Sequence, residues 1–251
     1  MIQIKQLHKS FEDKKVLKGI DYTFETGKTN LIIGRSGSGK TVLMKCIVGL
    51  LDPDHGQILY DGRDIITMGK KEKKALRREM GMIFQSAALF DSLTVLQNVM
   101  FPLDMFSDST YEERLERAEF CLERVDLKGV GGKYPAEISG GMQKRVAIAR
   151  AIALNPVYLF CDEPNSGLDP KTSIVIDELI HDITHEYGMT TIINTHDMNS
   201  VTGIGESILY LDSGHMEWTG TKDEVFDSGN KKFNDFVFAS ELLKKIKHGE
   251  V

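Results

Sequence analysis

Apolar and polar positions change period several times along this chain, and each change marks an element. Residues 2–7 and 16–24 alternate as strands of an antiparallel sheet do, with Val16, Ile20, Tyr22 and Phe24 as inward positions. Thr29-Asn30-Leu31-Ile32-Ile33 reads as a short buried strand. From Thr41 to Leu51 the spacing turns helical, with Leu43, Ile47 and Leu50 on one face. Residues 52–56 are a turn by composition, Gln57 to Tyr60 a strand, and Asp61-Gly62 a tight turn. Lys70 to Arg78 is a charged helix with six basic residues. Because Glu72 and Glu79 are interspersed it reads as a solvated face, an anionic partner surface being the alternative.

Gly81-Met82-Ile83-Phe84 is again a buried strand, ending at Gln85. About seventy helical residues follow. Thr94 is placed to cap a helix over Val95–Asp104, and Ser109-x-x-Glu112 to box-cap one carrying Leu115, Ala118, Leu122 and Val125 on a stripe. After a Gly-rich loop, Ser139 caps a helix from Met142 to about Leu154. Val157 to Cys161 is wholly apolar and too short for a helix, hence a central parallel strand. Lys171 to Tyr187 is an amphipathic helix bearing Ile176, Leu179, Ile180 and Ile183, and Gly188 stops it. Thr190 to Asn194 is another buried strand. A hairpin over 208–218 and a short helix capped by Thr221-x-x-Glu224 lead into a tail over 233–246. That tail holds Phe236, Val237, Leu242, Leu243 and Ile246 beside Lys244, Lys245 and Lys247. Packing on its own domain is the plain reading, and dimer or membrane-surface contact the alternative.

With 251 residues and 41% hydrophobic content, the chain fits one α/β domain with a full core. No apolar run approaches the ~18 residues of a membrane span, and the first residues lack a signal-peptide layout, so a non-exported protein is expected. Cys46, Cys121 and Cys161 are widely spaced, as buried thiols of a reducing compartment are. A net charge of −6 and a pI near 5.7 argue against a general nucleic-acid binder.

The chemistry concentrates at loop positions. Gly34-Arg35-Ser36-Gly37-Ser38-Gly39-Lys40-Thr41 matches G-x-x-x-x-G-K-[ST], the phosphate-binding loop. Strand before and helix after supply the required context, so backbone N–H groups and a helix N-terminus face one anion. Lys40 supplies a charge for the β/γ-phosphates, and the Thr41 hydroxyl a ligand for Mg²⁺. Ser139-Gly140-Gly141 opens a second helix with uncovered amides, a second anion site that suits a nucleotide held by another copy. Asp162 and Glu163 end a core strand, where α/β sheets place ligands and where two carboxylates are costly without a cation. His196 ends the next core strand. Phe11, 29 residues before Lys40, is either a loop residue folded onto the sheet or a platform for an adenine face.

Taken in order, these pieces resemble the ABC ATPase family over residues 1 to about 230. The resemblance implies an α/β P-loop NTPase fold of the ABC-ATPase type. Its RecA-like mixed sheet core would carry an antiparallel β subdomain and an inserted helical subdomain at about 88–153, in one domain over 1–251 with a tail from about 233. It implies head-to-tail homodimers holding two ATP molecules with Mg²⁺. Phe11 then resembles the adenine-stacking aromatic, and Gly34 through Thr41, with Val42, the nucleotide cradle. Gln85 is similar to the loop glutamine that touches Mg²⁺ and attacking water. Ser139, Gly140 and Gly141 resemble the signature motif facing the opposite γ-phosphate, with Met142 where the family usually has Gln. Asp162 resembles the Mg²⁺-organising aspartate, Glu163 the general base, Asp169 the interface aspartate and His196 the switch histidine.

Phe84 to Val95 and the Pro135-x-Glu137-Ile138-Ser139-Gly140-Gly141-Met142 run are similar to the ATPases of Mla-type, MCE-associated lipid transporters. That likeness implies a multi-span permease partner, possible contact with an MCE-domain substrate-binding protein, and a peripheral position on the cytoplasmic face of the inner membrane. Non-transport relatives are the competing class. The chain has no coiled-coil insertion of the repair type between Thr41 and Ser139 and one ATPase unit rather than the two of translation types. The iron–sulfur cluster assembly type, or transport of a non-lipid substrate, remains the alternative.

Overall fold

The computed structural model describes residues Met1–Ala239. In chain order the elements are β1 (Ile2–Phe11), β2 (Lys14–Phe24), β3 (Thr29–Ile33), α1 (Lys40–Ile47), β4 (His55–Tyr60), β5 (Arg63–Asp64), α2 (Lys70–Arg78), β6 (Met80–Ile83), α3 (Val95–Phe106), α4 (Tyr111–Arg124), α5 (Gly140–Ile152), β7 (Tyr158–Asp162), α6 (Pro170–Tyr187), β8 (Thr190–Thr195), α7 (Met198–Ile204), β9 (Ser207–Asp212), β10 (His215–Gly220) and α8 (Lys231–Val237). They fall into two compact units: residues 1–68 with 192 onward, and residues 69–191.

The first unit holds an antiparallel sheet in the order β2-β1-β4-β5 and strands in the order β10-β9-β3-β8. In the latter, β9 runs antiparallel to β10 and parallel to β3, so the sheet is mixed. β3 is buried along its whole length, the burial expected of a strand with both faces covered. Bulges interrupt the β1–β2 ladder after Ile4, Leu7 and Lys9. They shift the inward set of β2 to Leu17, Ile20 and Phe24, so Val16, expected inward, is only half-buried. Helix α1 ends at Ile47, short of the expected Leu51. Gly49 adopts φ +70, its N–H reaches Cys46 O and the Leu50 N–H reaches Lys45 O, the double bond of a Schellman stop. Leu50, expected on the buried face, is therefore 60% exposed. Phe233 of α8 stacks on Trp218 at 3.9 Å between ring centroids, and Phe236 on Tyr210 at 5.1 Å. The tail thus begins packed on its own unit. Leu242, Leu243, Lys244, Lys245, Ile246 and Lys247 lie outside the described residues.

In the second unit β6 pairs parallel with β7, Met80 facing Tyr158 and Ile83 facing Cys161. β7 begins one residue later than expected. Val157 is 43% exposed, and the strand runs on to Asp162. Thr94 caps α3 and exchanges a reciprocal bond with Gln97. The cap of α4 is Thr110 with Glu113, not Ser109 with Glu112. Ser-Thr-Tyr-Glu-Glu satisfies the box in two frames, and the Ser109 N–H is taken by Ser107 Oγ instead. Both frames bury Ala118, Leu122 and Val125. Helix α5 starts at Gly140, directly after its cap Ser139. Among the described residues no helix is long and apolar enough to cross a membrane.

Candidate nucleotide site

The phosphate loop lies between β3 and α1 in the first unit. Gly34, Gly37 and Gly39 sit at φ +152, +79 and +112, conformations that a side chain would strain. A Cβ on Gly34 would stand 2.2 Å from Leu211 O and 2.8 Å from Ser38 Oγ. The loop is sewn to the β9–β10 turn, because Gly214 N–H donates to Ser38 O at 3.1 Å. Lys40 is 8% exposed and reaches back across the loop, donating through Nζ to Gly34 O at 2.7 Å and Arg35 O at 3.1 Å. Its ammonium is thus held inside the curl. Ser38 Oγ is buried without a hydrogen-bond partner in the protein. A buried ammonium, an orphaned hydroxyl and a backbone cradle that a Cβ would fill form a site that fits a phosphate chain.

Two other expected residues belong to this unit. Phe11 ends β1 at 43% exposure, with the Lys9 ammonium 5.5 Å from its ring centroid. The exposed face is open to stacking, and the lysine also gives it a structural partner. His196 follows β8 directly and is exposed.

The second unit gathers Gln85, Ser139, Gly140, Gly141, Asp162, Glu163 and Asp169. A cleft of about 530 Å³ is lined by Phe84, Gln85, Ser86, Asp162 and Ser166. Gln85 Nε2 donates to Glu163 Oε2 at 3.2 Å and to Ser166 Oγ at 3.1 Å. Glu163 occupies the left-handed region, φ +47. A non-glycine residue there, just past a core strand, marks stored strain of the kind found at functional positions. The turn it opens is fixed by Ser166 N–H on Glu163 O and by Asn165 Nδ2 on the buried Asp177 carboxylate. Asp169 caps α6, accepting from Thr172 N at 3.0 Å and from the Thr172 hydroxyl at 2.6 Å. That hydroxyl bond, then the amide bond, holds the Asp169 carboxyl below the usual carboxylate range. The same Thr172 lies beside the second helix opening: a Cβ on Gly141 would stand 2.9 Å from its Cγ2.

For Mg²⁺, Gln85 and Asp162 on the second unit's cleft offer an amide oxygen and a carboxylate, donors suited to a hard cation, and in the first unit Thr41 offers a hydroxyl.

The ABC transporter family model matches residues 17–166, well over half of the chain. The chain belongs to the ABC transporter family. Its ABC ATPase domain is similar, at 42% identity over 84% of this chain and 63% of the relative, to the methionine import ATP-binding protein MetN of Caulobacter vibrioides. It is 36% identical to a probable ribonucleotide transport ATP-binding protein, mkl, of Mycobacterium leprae, over 94% of this chain and 68% of that one. The chain therefore spans about two thirds of the length of these relatives. Among solved structures it resembles the dimeric bacterial ABC transporter cassette MJ0796, with a TM-score of 0.80, 34% identity, and 88% and 99% of the two chains covered. That cassette is also known as a post-hydrolysis dimer bound to ADP and phosphate. The expected fold class, a mixed α/β ABC ATPase fold with β and helical parts, is the one observed. ATP with Mg²⁺ is the ligand of this domain type.

Sequence reasoning missed three residues that hold the backbone of the 85–94 segment in the second unit. Lys144 on α5 is 5% exposed and donates to Gln85 O. Burial pulls its ammonium below the usual lysine value, partly offset by the Glu163 carboxylate. Arg150, two turns on, donates to Ala87 O at 2.8 Å and Ala88 O at 2.7 Å. Asn98 is fully buried in α3 and takes bonds from and to residues 90–94. The signal in each case was a polar residue on a helix face that the apolar spacing marks as inward.

Proposed function

We propose that this chain is the ATP-hydrolysing subunit of a membrane ABC transporter, acting as a head-to-tail homodimer beneath a multi-span permease on the cytoplasmic face of the inner membrane. The observation that carries this reading is the pairing of Gln85 with Glu163 at the mouth of a strand-end cleft, in a chain with a complete phosphate loop. Phosphoryl transfer to water needs positioning and charge stabilisation more than covalent chemistry. Lys40 and the loop amides hold the β/γ-phosphates. Thr41, Asp162 and Gln85 would hold Mg²⁺, which supplies charge neutralisation when bound. Glu163 orients the water and takes its proton, with Gln85 fixing the carboxylate. Ser139 of the opposing copy and His196 steady the γ-phosphate, Asp169 serves the dimer interface, and Phe11 stacks on the adenine.

For the cargo, the 84–95 segment and Met142 support phospholipid moving between bacterial membranes, with an MCE-domain protein as a further partner. A second reading, import of a small polar molecule, is favoured by the 42% identity to a methionine import protein. Gentle detergent pull-down of the tagged chain from its own cell's membranes separates them. An MCE-domain protein with co-purifying phospholipid supports the first. A permease with a soluble-substrate binding protein supports the second. Soluble partners only would sink the transport reading.

A further inference from the structure

Helix α5 reaches the Gln85 segment from below with two cations. The Lys144 ammonium donates to the Gln85 carbonyl, and the Arg150 guanidinium spans the carbonyls of Ala87 and Ala88. Both alanines sit in the left-handed region, φ +61 and +47, so this backbone is held in a shape that two successive non-glycine residues avoid. A buried charge such as the Lys144 ammonium, at 5% exposure, is costly and persists where its bonds define a geometry. The Gln85 side chain itself is exposed and is bonded to Glu163 and Ser166, while Lys144 grips its backbone. The helix that supplies both cations is the one capped by Ser139.

We propose that Lys144 is a positioning residue for hydrolysis: by gripping the Gln85 carbonyl it aims the Gln85 amide at Glu163, and with Arg150 it makes the Gln85–Ala88 segment move with α5. This rests on the ATPase reading above. A displacement of the segment is then passed to the Ser139 end of the same helix without a hinge between them. Lys144 touches neither nucleotide nor water in this scheme, and its grip acts through Gln85.

The test is a double-mutant cycle on the full chain. Lys144→Met keeps the buried stem and removes the donor. It should lower kcat about tenfold while KM for ATP stays within about twofold, because a misaimed group costs rate and not substrate binding. Lys144→Arg should recover most of the loss. In a Gln85→Ala background Lys144→Met should change kcat by less than about twofold, since residues acting as one unit are not additive. A further tenfold loss in that background would overturn the proposal, as would a rise in KM equal to the fall in kcat. Should the Met variant fail to fold, Lys144→Leu, which also lacks a donor, enters the same cycle. Hydrogen exchange provides a readout independent of turnover: amides over 84–90 should exchange faster in Lys144→Met, and unchanged exchange there rejects the grip. If the wild-type chain shows no ATP turnover, the ATPase reading fails, and exchange alone decides whether Lys144 holds the segment.

Discussion

Gly34 and Leu211 lie so close that a Cβ on the glycine would stand 2.2 Å from the leucine carbonyl oxygen. The relationship ties the start of the phosphate loop to the end of β9, the strand that runs parallel to β3. Gly34→Ala must therefore displace the loop or the strand, and at φ +152 it is strained in either case. We expect a loss of about 1–3 kcal/mol in urea unfolding, the usual range for overpacking. Titration with a fluorescent ATP analogue should show binding weakened far more than that loss would explain, because the displaced amides are those aimed at phosphate.

Glu163→Gln should leave nucleotide binding and ATP-dependent dimerisation intact while hydrolysis falls. Glutamine is isosteric, so the bond to Gln85 and the φ +47 turn survive. What disappears is the proton acceptor, worth about 10²–10⁴ in rate for a general base. Phosphate release assays combined with size exclusion in ATP measure both halves. Near-full turnover would remove Glu163 from the role of base.

Asn98 ties the segment from Phe90 to Thr94 to α3 through four side-chain bonds, accepting from Phe90 N and donating to the carbonyls of Phe90, Leu93 and Thr94. Asn98→Leu matches the apolar stripe yet leaves those backbone groups without their partner. The expected cost is about 1–3 kcal/mol in chemical denaturation, the penalty for orphaned buried polar groups. Asn98→Asp should be milder for the Phe90 N–H and worse for the three carbonyls, which meet a second acceptor. A neutral Asn98→Leu would show that water replaces the lost bonds.

The sequence makes the local chemistry legible and the long-range fit much less so. The phosphate loop, the Thr94 and Ser139 caps and the Gly188 stop each depend on a few adjacent residues, and all four stand where the spacing puts them. Alternation alone does not give the register of β2, because bulges reset it: pairing passes from Ile20 to Lys18 over Gly19, at φ +80, and from Leu17 to Lys15 over Val16. The end of α1 was overrun because an apolar Leu50 outweighed the Gly49 stop beside it. Lys144 and Arg150 show only as cations on an inward helix face, and their role stays hidden because their partners are backbone carbonyls about sixty residues away. The family resemblance gives Gln85 and Glu163 separate roles, and the bond between them, over 78 residues, comes from the geometry alone.

The thiols give a prediction with a definite sign in pH. Cys46, Cys121 and Cys161 are all buried and free. Burial pushes the Cys46 and Cys121 thiols from 9.0 up to about 11, and drives Cys161 further in the same direction. The unfolded chain thus releases these protons before the folded one does. Stability from the neutral thiols is fully present below pH 9.0 and is lost as pH rises through about 11. The expected result is that replacing Cys46 and Cys121 by alanine flattens the decline in unfolding free energy over that window, by up to about 1.4 kcal/mol per pH unit for each thiol. The native chain at pH 8 should also resist iodoacetamide at all three positions, while urea exposes them together, because the thiolate is the reactive form. Rapid native labelling of any one thiol would mean that its surroundings open far more often than its burial allows.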